Sequence, residues 1–547
     1  MPVGNYSAAM VDTAAPMWID GDGSPVFGWL HRRADGCSRG MVVICPPLAR
    51  EHNASHPALR ALAEALVAVG FSAVRFDYYG TGDSGGNEGD DDLVDSWLAS
   101  IGAVVSYARE VGEQHVTLLG LRMGATLAAR LAPELAPLAA LVLWDPCPRG
   151  GAFVREQYLL QRLTLRVVGA GEVPEGWTEI PGGCFAPAVA ERLKRIQLPT
   201  AGHVPTESPI LVLTRAGDAP APSVARLLDA PNVTHLEAPG QRDLLEVPPS
   251  DAVHRTETLD AIVSYLSAVA PADEVVVALP VPSHVLLQSS GGRSIAERAV
   301  RLGRNGLFGI VTEADDPKPL TVVFINAYFD HHLGPSRQWV ELARRWALHG
   351  VRSLRFDTRG LGDSPYVRER PAMYSATLVE DALSAAETVS EGSSNVIFIG
   401  LCSGAWVAAV AGARLRARGV VLVNQIYWNK AGRSLDSHGN LRRDDDPIAF
   451  LQALNAVGVD VTLLLALEDL ERLRLAAGAD RLERLQAPVA EATGGALSIV
   501  PIDLLDHNVL TYSGRESLAR HLNAVVLAAL APAAGRLLSG DAAAAHR

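Results

Sequence analysis

One ten-residue phrase occurs twice in this chain, as RFDYYGTGDS from Arg75 and as RFDTRGLGDS from Arg355. A second phrase keeps the same spacing: GLRMGA begins at Gly120 and GLCSGA at Gly400. Both pairs are displaced by 280 residues (355 − 75 and 400 − 120). The same register sets VVICP at Val42 over VVFIN at Val322, His52 over His332, and Gly70 over Gly350. Chance likeness between Ala-rich segments does not hold one register across three separate strands, so the pattern predicts a tandem duplication. At 547 residues the chain is too long for a single core, which agrees with two copies of one unit. The copies are expected at 15–270 and 285–532. An Ala-, Pro- and Val-rich segment at 267–281 is expected to link them, and the tail after Ala531 has little to bury.

Within each copy, short β-branched runs alternate with amphipathic stretches. In the second copy VVFIN is a strand, and RQWVELARRWALHG is a helix closed by Gly350. VRSLRFD, SNVIFIG and the run from Ala417 to Asn424 are further strands. Strands separated by helices of this length build right-handed βαβ units and a mostly parallel sheet. The fold class is therefore α/β, doubly wound, in two tandem domains.

Composition narrows the function. The net charge of −13 and the lack of a basic stripe exclude nucleic acid and anionic membrane as main partners. No apolar run reaches the length of a membrane span, and the first twenty residues lack the charged-then-apolar pattern of a signal peptide. The five cysteines (Cys37, Cys45, Cys147, Cys184, Cys402) are scattered and without CxxC spacing. That predicts free thiols in a cytoplasmic protein, with neither a disulfide framework nor a zinc site.

The spacing Gly400-x-Cys402-x-Gly404 is that of a nucleophile elbow, with Cys where the motif carries Ser. Together with the Asp357-x-x-Gly360-x-Gly362-x-Ser364 turn ahead of it, this resembles the α/β-hydrolase superfamily. PPLAREHNASH, FDYYGTGDSGG and GLRMGA in the first copy are similar to exosortase-associated hydrolase relatives, and the second copy looks like a cysteine branch of them. The resemblance implies a lid insertion in each copy and a catalytic order of nucleophile, acid, then His.

The second copy supplies that order. Cys402 is the candidate nucleophile. Asp469, at the end of DVTLLLALEDLE, is the candidate acid, with Glu468 and Glu471 as neighbours able to substitute. His507, in the loop after SIVPID, is the candidate base. A thiol attacks as thiolate, an imidazole takes its proton, and the carboxylate fixes the imidazole tautomer. Backbone N–H groups of Ser403 and Tyr328 are expected to form the oxyanion hole, with the Ser403 hydroxyl turned away. His331, His332 and Trp428 are candidate substrate contacts, although His332 has a counterpart in His52, which favours a structural role. Tyr427, Arg433, Arg442 and Arg443 are expected near a lid entrance.

The first copy fails the same test. Arg122 stands at the nucleophile position, and a guanidinium is no nucleophile at neutral pH. Asp218 ends a strand as an acid should, but the loop EAPGQRDLLE has no His. Arg122 is expected to form a buried bridge with Asp218 in preference to binding an anion. The acidic run GNEGDDD at 86–92 lacks calcium-loop spacing and reads as a solvated turn.

The sequence thus predicts a cysteine-dependent acyl-transfer enzyme with a degenerate first domain, needing no metal or redox cofactor. Its substrate would be a small-molecule or carrier-bound acyl group in an ester or thioester. Plain carboxylester hydrolysis and a non-catalytic assembly role are the alternatives. The residues name neither donor, acceptor, pathway nor oligomeric state.

Overall fold

The computed structural model describes residues 13–21, 24–168, 171–271, 273–277, 280–288, 293–390, 392–428, 446–486 and 495–530. Two large sheets organise them. Across the first, the strands run Ala15–Ile19, Val26–His31, Ser72–Phe76, Met41–Cys45, Val116–Leu121, Ala140–Trp144, Ile210–Arg215 and Val233–Ala238. The first three pair antiparallel and the rest are parallel. Across the second, the order is His284–Gln288, Ser294–Leu302, Leu307–Ala314, Arg352–Phe356, Thr321–Ile325, Val396–Leu401, Gly419–Val423, Asp460–Ala466 and Leu497–Ile502. Apart from one added antiparallel edge strand, the order is the same. This is an α/β fold of two mostly parallel sheets.

The central strands are buried on both faces. Met41–Cys45, Val116–Leu121, Thr321–Ile325 and Val396–Leu401 have no exposed residue. Parallel strands need crossover helices, which cover both faces of the sheet, and so read as continuous apolar runs. Each sheet accordingly carries two apolar clusters, one per face.

A smaller cluster joins the halves. Trp18, Phe27 and Trp29 of the first sheet pack on Phe308 and Ile310 of the second. The Trp29 and Phe308 rings meet edge to face at 4.9 Å. Beside them lies a buried polar cluster in which residues of the repeated phrases meet Glu297 and His332. Arg355 pairs with Asp83 and with Glu297, the latter at 3.0 Å. His332 sits between Asp83 (2.6 Å) and Asp357 (2.9 Å).

The segment expected as a linker is partly regular. The helix Thr256–Val269 runs into it, and Val275–Val276 pairs antiparallel with Cys37–Ser38. Backbone groups there find partners in the first sheet's surroundings, a long-range pairing that local composition does not reveal. The tail after Ala531 lies outside the described residues.

Candidate active site

The strand Val396–Leu401 lies mid-sheet, between Thr321–Ile325 and Gly419–Val423. It ends at Cys402, where the chain turns with φ 52° and ψ −116° into the helix Ser403–Leu415. Positive φ at a residue with a side chain is strained and persists only where the surroundings enforce it. Here the flanking glycines permit it. A Cβ at Gly400 would lie 2.3 Å from the Gly404 carbonyl oxygen, and one at Gly404 would lie 2.4 Å from that of Asn326. The turn lifts the Cys402 thiol out of the core, where it is partly exposed.

The thiol meets an imidazole. His507 Nε2 lies 3.3 Å from Cys402 Sγ, and His507 Nδ1 lies 2.7 Å from Asp469 Oδ2. The structure therefore brings the three sequence-derived residues into one line. Asp469 stands in the first turn of the helix Leu467–Ala477, just beyond the strand end where the sequence placed it. A helix N-terminus favours a carboxylate at that point. Its other oxygen accepts from Arg472 at 2.7 Å. Glu468 and Glu471 instead pair with Arg472 and Arg474 on the outer face.

Burial works against a charged His507, but its hydrogen bonds to Asp469 and Cys402 outweigh that and hold it up at about 10.

Two residues that the sequence reading passed over hold this geometry. Asn424, fully buried at φ 49°, donates to the carbonyls of Asp506 (3.0 Å) and His507 (2.9 Å). Its own carbonyl accepts from the Ala466 N–H at 2.8 Å, so one amide ties the acid-bearing turn to the base-bearing loop. Asp506 accepts from the N–H groups of Asn508, Leu510 and Thr511 and shapes that loop. An Asn directly after a strand that neighbours the elbow strand was the available signal.

The Ser403 N–H opens its helix and is one of the groups a helix leaves without an internal partner. The Tyr328 N–H is nearby, but it donates to the Ser403 hydroxyl at 2.9 Å. This corrects the expectation that the hydroxyl turns away, because a hydroxyl at a helix start seeks the nearest unsatisfied N–H. Asn326, Tyr328, Thr358, Leu361, Tyr374 and Ser403 line a cleft beside the elbow. Burial, and after it the charge of Cys402, pushes the Tyr374 phenol well above its ordinary value.

The remaining candidates lie elsewhere. His332 is buried between two carboxylates, and His331 faces His56 across 4.5 Å in a separate cavity between the halves. Trp428 is buried against Phe450, and Tyr427 is stacked on Tyr374 at 4.2 Å. Tyr427 and Trp428 thus spend their aromatic surface on packing, while His332 is engaged by its two carboxylates. Arg433, Arg442 and Arg443 lie outside the described residues.

Arg122 repeats the elbow backbone of Cys402, with φ 55° and ψ −121°. It bridges Glu51 (3.2 Å), Glu156 (2.8 Å) and Asp145 (3.7 Å). Asp218 pairs instead with Arg242, half in solvent, which corrects the expected Arg122–Asp218 bridge. Glu51 lies beside the elbow, whereas Asp218 is too near the surface to be the partner of a buried cation. Glu88, in the supposed solvated turn, reaches Arg515 of the second half at 3.0 Å.

Residues 29–174 match the family described as serine aminopeptidase, S33. That span is less than half of the chain and contains the Arg122 elbow, so no serine stands where such a family would place its nucleophile. No curated protein matches. Solved structures similar to it include Est1E from Butyrivibrio proteoclasticus with ferulic acid bound, 20% identical, covering 46% of this chain and 96% of its own, TM-score 0.35. The Pyrococcus furiosus esterase Pf2001 is 18% identical over 49% of this chain and 96% of its own, TM-score 0.34. Dienelactone hydrolase from Anabaena variabilis is 16% identical over 44% and 96%, TM-score 0.30. Likeness at this level transfers no activity.

Proposed function

We propose that the chain is a tandemly duplicated α/β hydrolase whose second half, 285–532, performs acyl transfer through Cys402. In this reading the first half, 15–270, is a scaffold without chemistry of its own. The observation that carries the reading is the alignment of Cys402 sulfur, His507 imidazole and Asp469 carboxylate at hydrogen-bonding distances.

The Cys402 thiolate attacks the acyl carbon of an ester or thioester, and the oxyanion is met by backbone N–H groups of Ser403 and Tyr328. As the tetrahedral intermediate collapses, the imidazolium gives its proton to the departing alkoxide or thiolate. The acceptor then loses its proton to His507, attacks the acyl-Cys and frees the sulfur. Asp469 keeps Nδ1 protonated throughout. An acyl-Cys is itself a thioester, which amines attack far more readily than they attack an oxygen ester, so cysteine favours transfer. Hydrolysis is the second reading, and the hydrolase family match over 29–174 favours it. The closer relation to exosortase-associated proteins rests on the sequence phrases alone.

The test is intact mass after exposure to a series of acyl thioesters and aryl esters. One acyl adduct is expected on the native chain and none on Cys402→Ala. Product ratios with and without an amine acceptor then separate transfer from hydrolysis. An adduct that survives in Cys402→Ala would overturn the reading.

A further inference from the structure

The loop that carries His507 is held from outside its own half. Three first-half residues make polar contacts with it or with the helix that follows it, Tyr512–Ala528. Gln161, in the helix Gly150–Val168, donates from Nε2 to the Leu510 carbonyl at 3.3 Å. Glu179, in the strand Thr178–Ile180, accepts from the Tyr512 N–H at 2.6 Å. Glu88 accepts from Arg515 at 3.0 Å. The ring of Trp177 lies 5.9 Å from that of Tyr512. These contacts fall three, five and eight positions after His507.

We infer that Glu179 and Gln161 are positioning residues for His507, so that the half without a nucleophile sets the base of the half that has one. The proposal rests on the reading of His507 as the base of Cys402. Its physical ground is the helix start. The first N–H groups of a helix lack internal acceptors, and within its own half Thr511 serves only one of them, that of Gly514, at 3.1 Å. Glu179 serves the Tyr512 N–H from across the interface, and a carboxylate there also meets the positive end of the helix dipole. Glu179 and Gln161 are both buried, so each bond is sheltered from competing water. Between these contacts and His507 the chain bends through Val509 at φ 56°, a strained conformation for a β-branched residue that its surroundings must enforce.

The same inserted segment touches the first elbow as well as the base loop. From the helix Gly150–Val168, Glu156 pairs with Arg122 and Gln157 donates to Glu51, one turn before Gln161 reaches Leu510. Arg122 thus anchors the helix that touches the base loop, which gives the vacated nucleophile position a use.

The experiment follows carbamidomethylation of Cys402 by iodoacetamide against pH, by mass, in the full chain. Native protein is expected to react faster than a free thiol at the same pH, because His507 stands where it can take the thiol proton. Glu179→Ala, which leaves the Tyr512 N–H without an acceptor, should slow that rate by about tenfold or more. Glu179→Gln, which keeps an acceptor oxygen, should recover to within about twofold. With a donor that the native chain uses, the loss should fall on kcat rather than on KM. A Glu179→Ala protein with native rate and profile would overturn the proposal, as would Glu179→Gln being equally impaired. If Glu179→Ala does not fold, Gln161→Leu decides: a fall in rate is expected, and a native rate rejects the idea. A native protein whose Cys402 reacts only as an ordinary thiol, rising near pH ~8.5, would sink the reading of His507 itself, whatever the variants do.

Discussion

Arg75 of the first half donates from Nη2 to Asp363 of the second at 2.7 Å, across a buried interface. The reciprocal contact, Arg355 to Asp83, joins the same two positions of the repeated phrase with the halves exchanged. The Gly-x-Gly-Asp-Ser turn of each half therefore grips the Arg-Phe-Asp strand end of the other. Equivalent patches meeting reciprocally are the mark of an isologous, two-fold interface. Removing one charge of a buried pair strands the other, so Asp363→Ala should cost about 3–5 kcal/mol, read by urea denaturation. The double variant Arg75→Met with Asp363→Leu should regain most of it. A double variant as unstable as the summed single ones would show that the pair is not coupled.

The same cluster sets a pH dependence of stability. Burial opposes a charged His332, but Asp357 and Asp83 hold its imidazole well above the usual value. A raised pKa means that its stabilisation is complete below the unfolded value of ~6.5 and is lost as pH rises through the folded value. Asp83, Asp357 and Asp363 are buried yet held low by their cationic partners. Their share is present above ~4 and is lost as pH falls through their folded values. Melting temperature should thus peak between about 4 and 6.5, with His332→Gln flattening the alkaline limb. An unchanged alkaline limb in His332→Gln would refute the assignment.

Arg122 holds buried carboxylates at the first elbow. Burial pushes Glu51 up even with Arg122 beside it. Arg122→Leu should therefore destabilise by about 3–5 kcal/mol at pH 7 and by less as the pH falls toward about 5, since a raised carboxyl takes up its proton more readily. The sign follows from a raised carboxyl, whose stability is present at low pH and lost as pH rises. Chemical denaturation at the two pH values checks it, and an equal loss at both would exclude Glu51 as the stranded partner. Arg122→Cys should gain no acyl adduct, since no imidazole stands behind it in EAPGQRDLLE.

Much of this was legible because the motifs impose backbone demands. Gly400 and Gly404 leave no room for a Cβ, so their spacing around Cys402 announces the turn. The constant register of Arg75 with Arg355 announces two equivalent sheets. What the sequence hid were contacts between distant segments. Nothing local marks Glu88 as the partner of Arg515, or Glu51 as the partner of Arg122, because each pairing depends on how loops cross the sheet edge. Trp428 read as a candidate substrate contact for want of its packing partner, Phe450, on a helix that composition leaves ambiguous.

The last prediction concerns the Ser403 hydroxyl. It accepts the Tyr328 N–H at 2.9 Å, the donor that the proposed mechanism offers to the oxyanion. A substrate oxygen must displace that hydroxyl before it can use the donor, at the expense of one hydrogen bond, about 1 kcal/mol. Ser403→Ala removes the competitor and keeps both backbone N–H groups. Acylation of Cys402 by an aryl ester should then become faster, by about fivefold at most. The His507 limb of the pH profile should stay where it is, because the imidazole is untouched. If Ser403→Ala instead lowers the acylation rate tenfold with the pH profile unchanged, the hydroxyl is itself an oxyanion donor. Loss of the adduct in Ser403→Ala, with retention in Cys402→Ala, would move the nucleophile to Ser403.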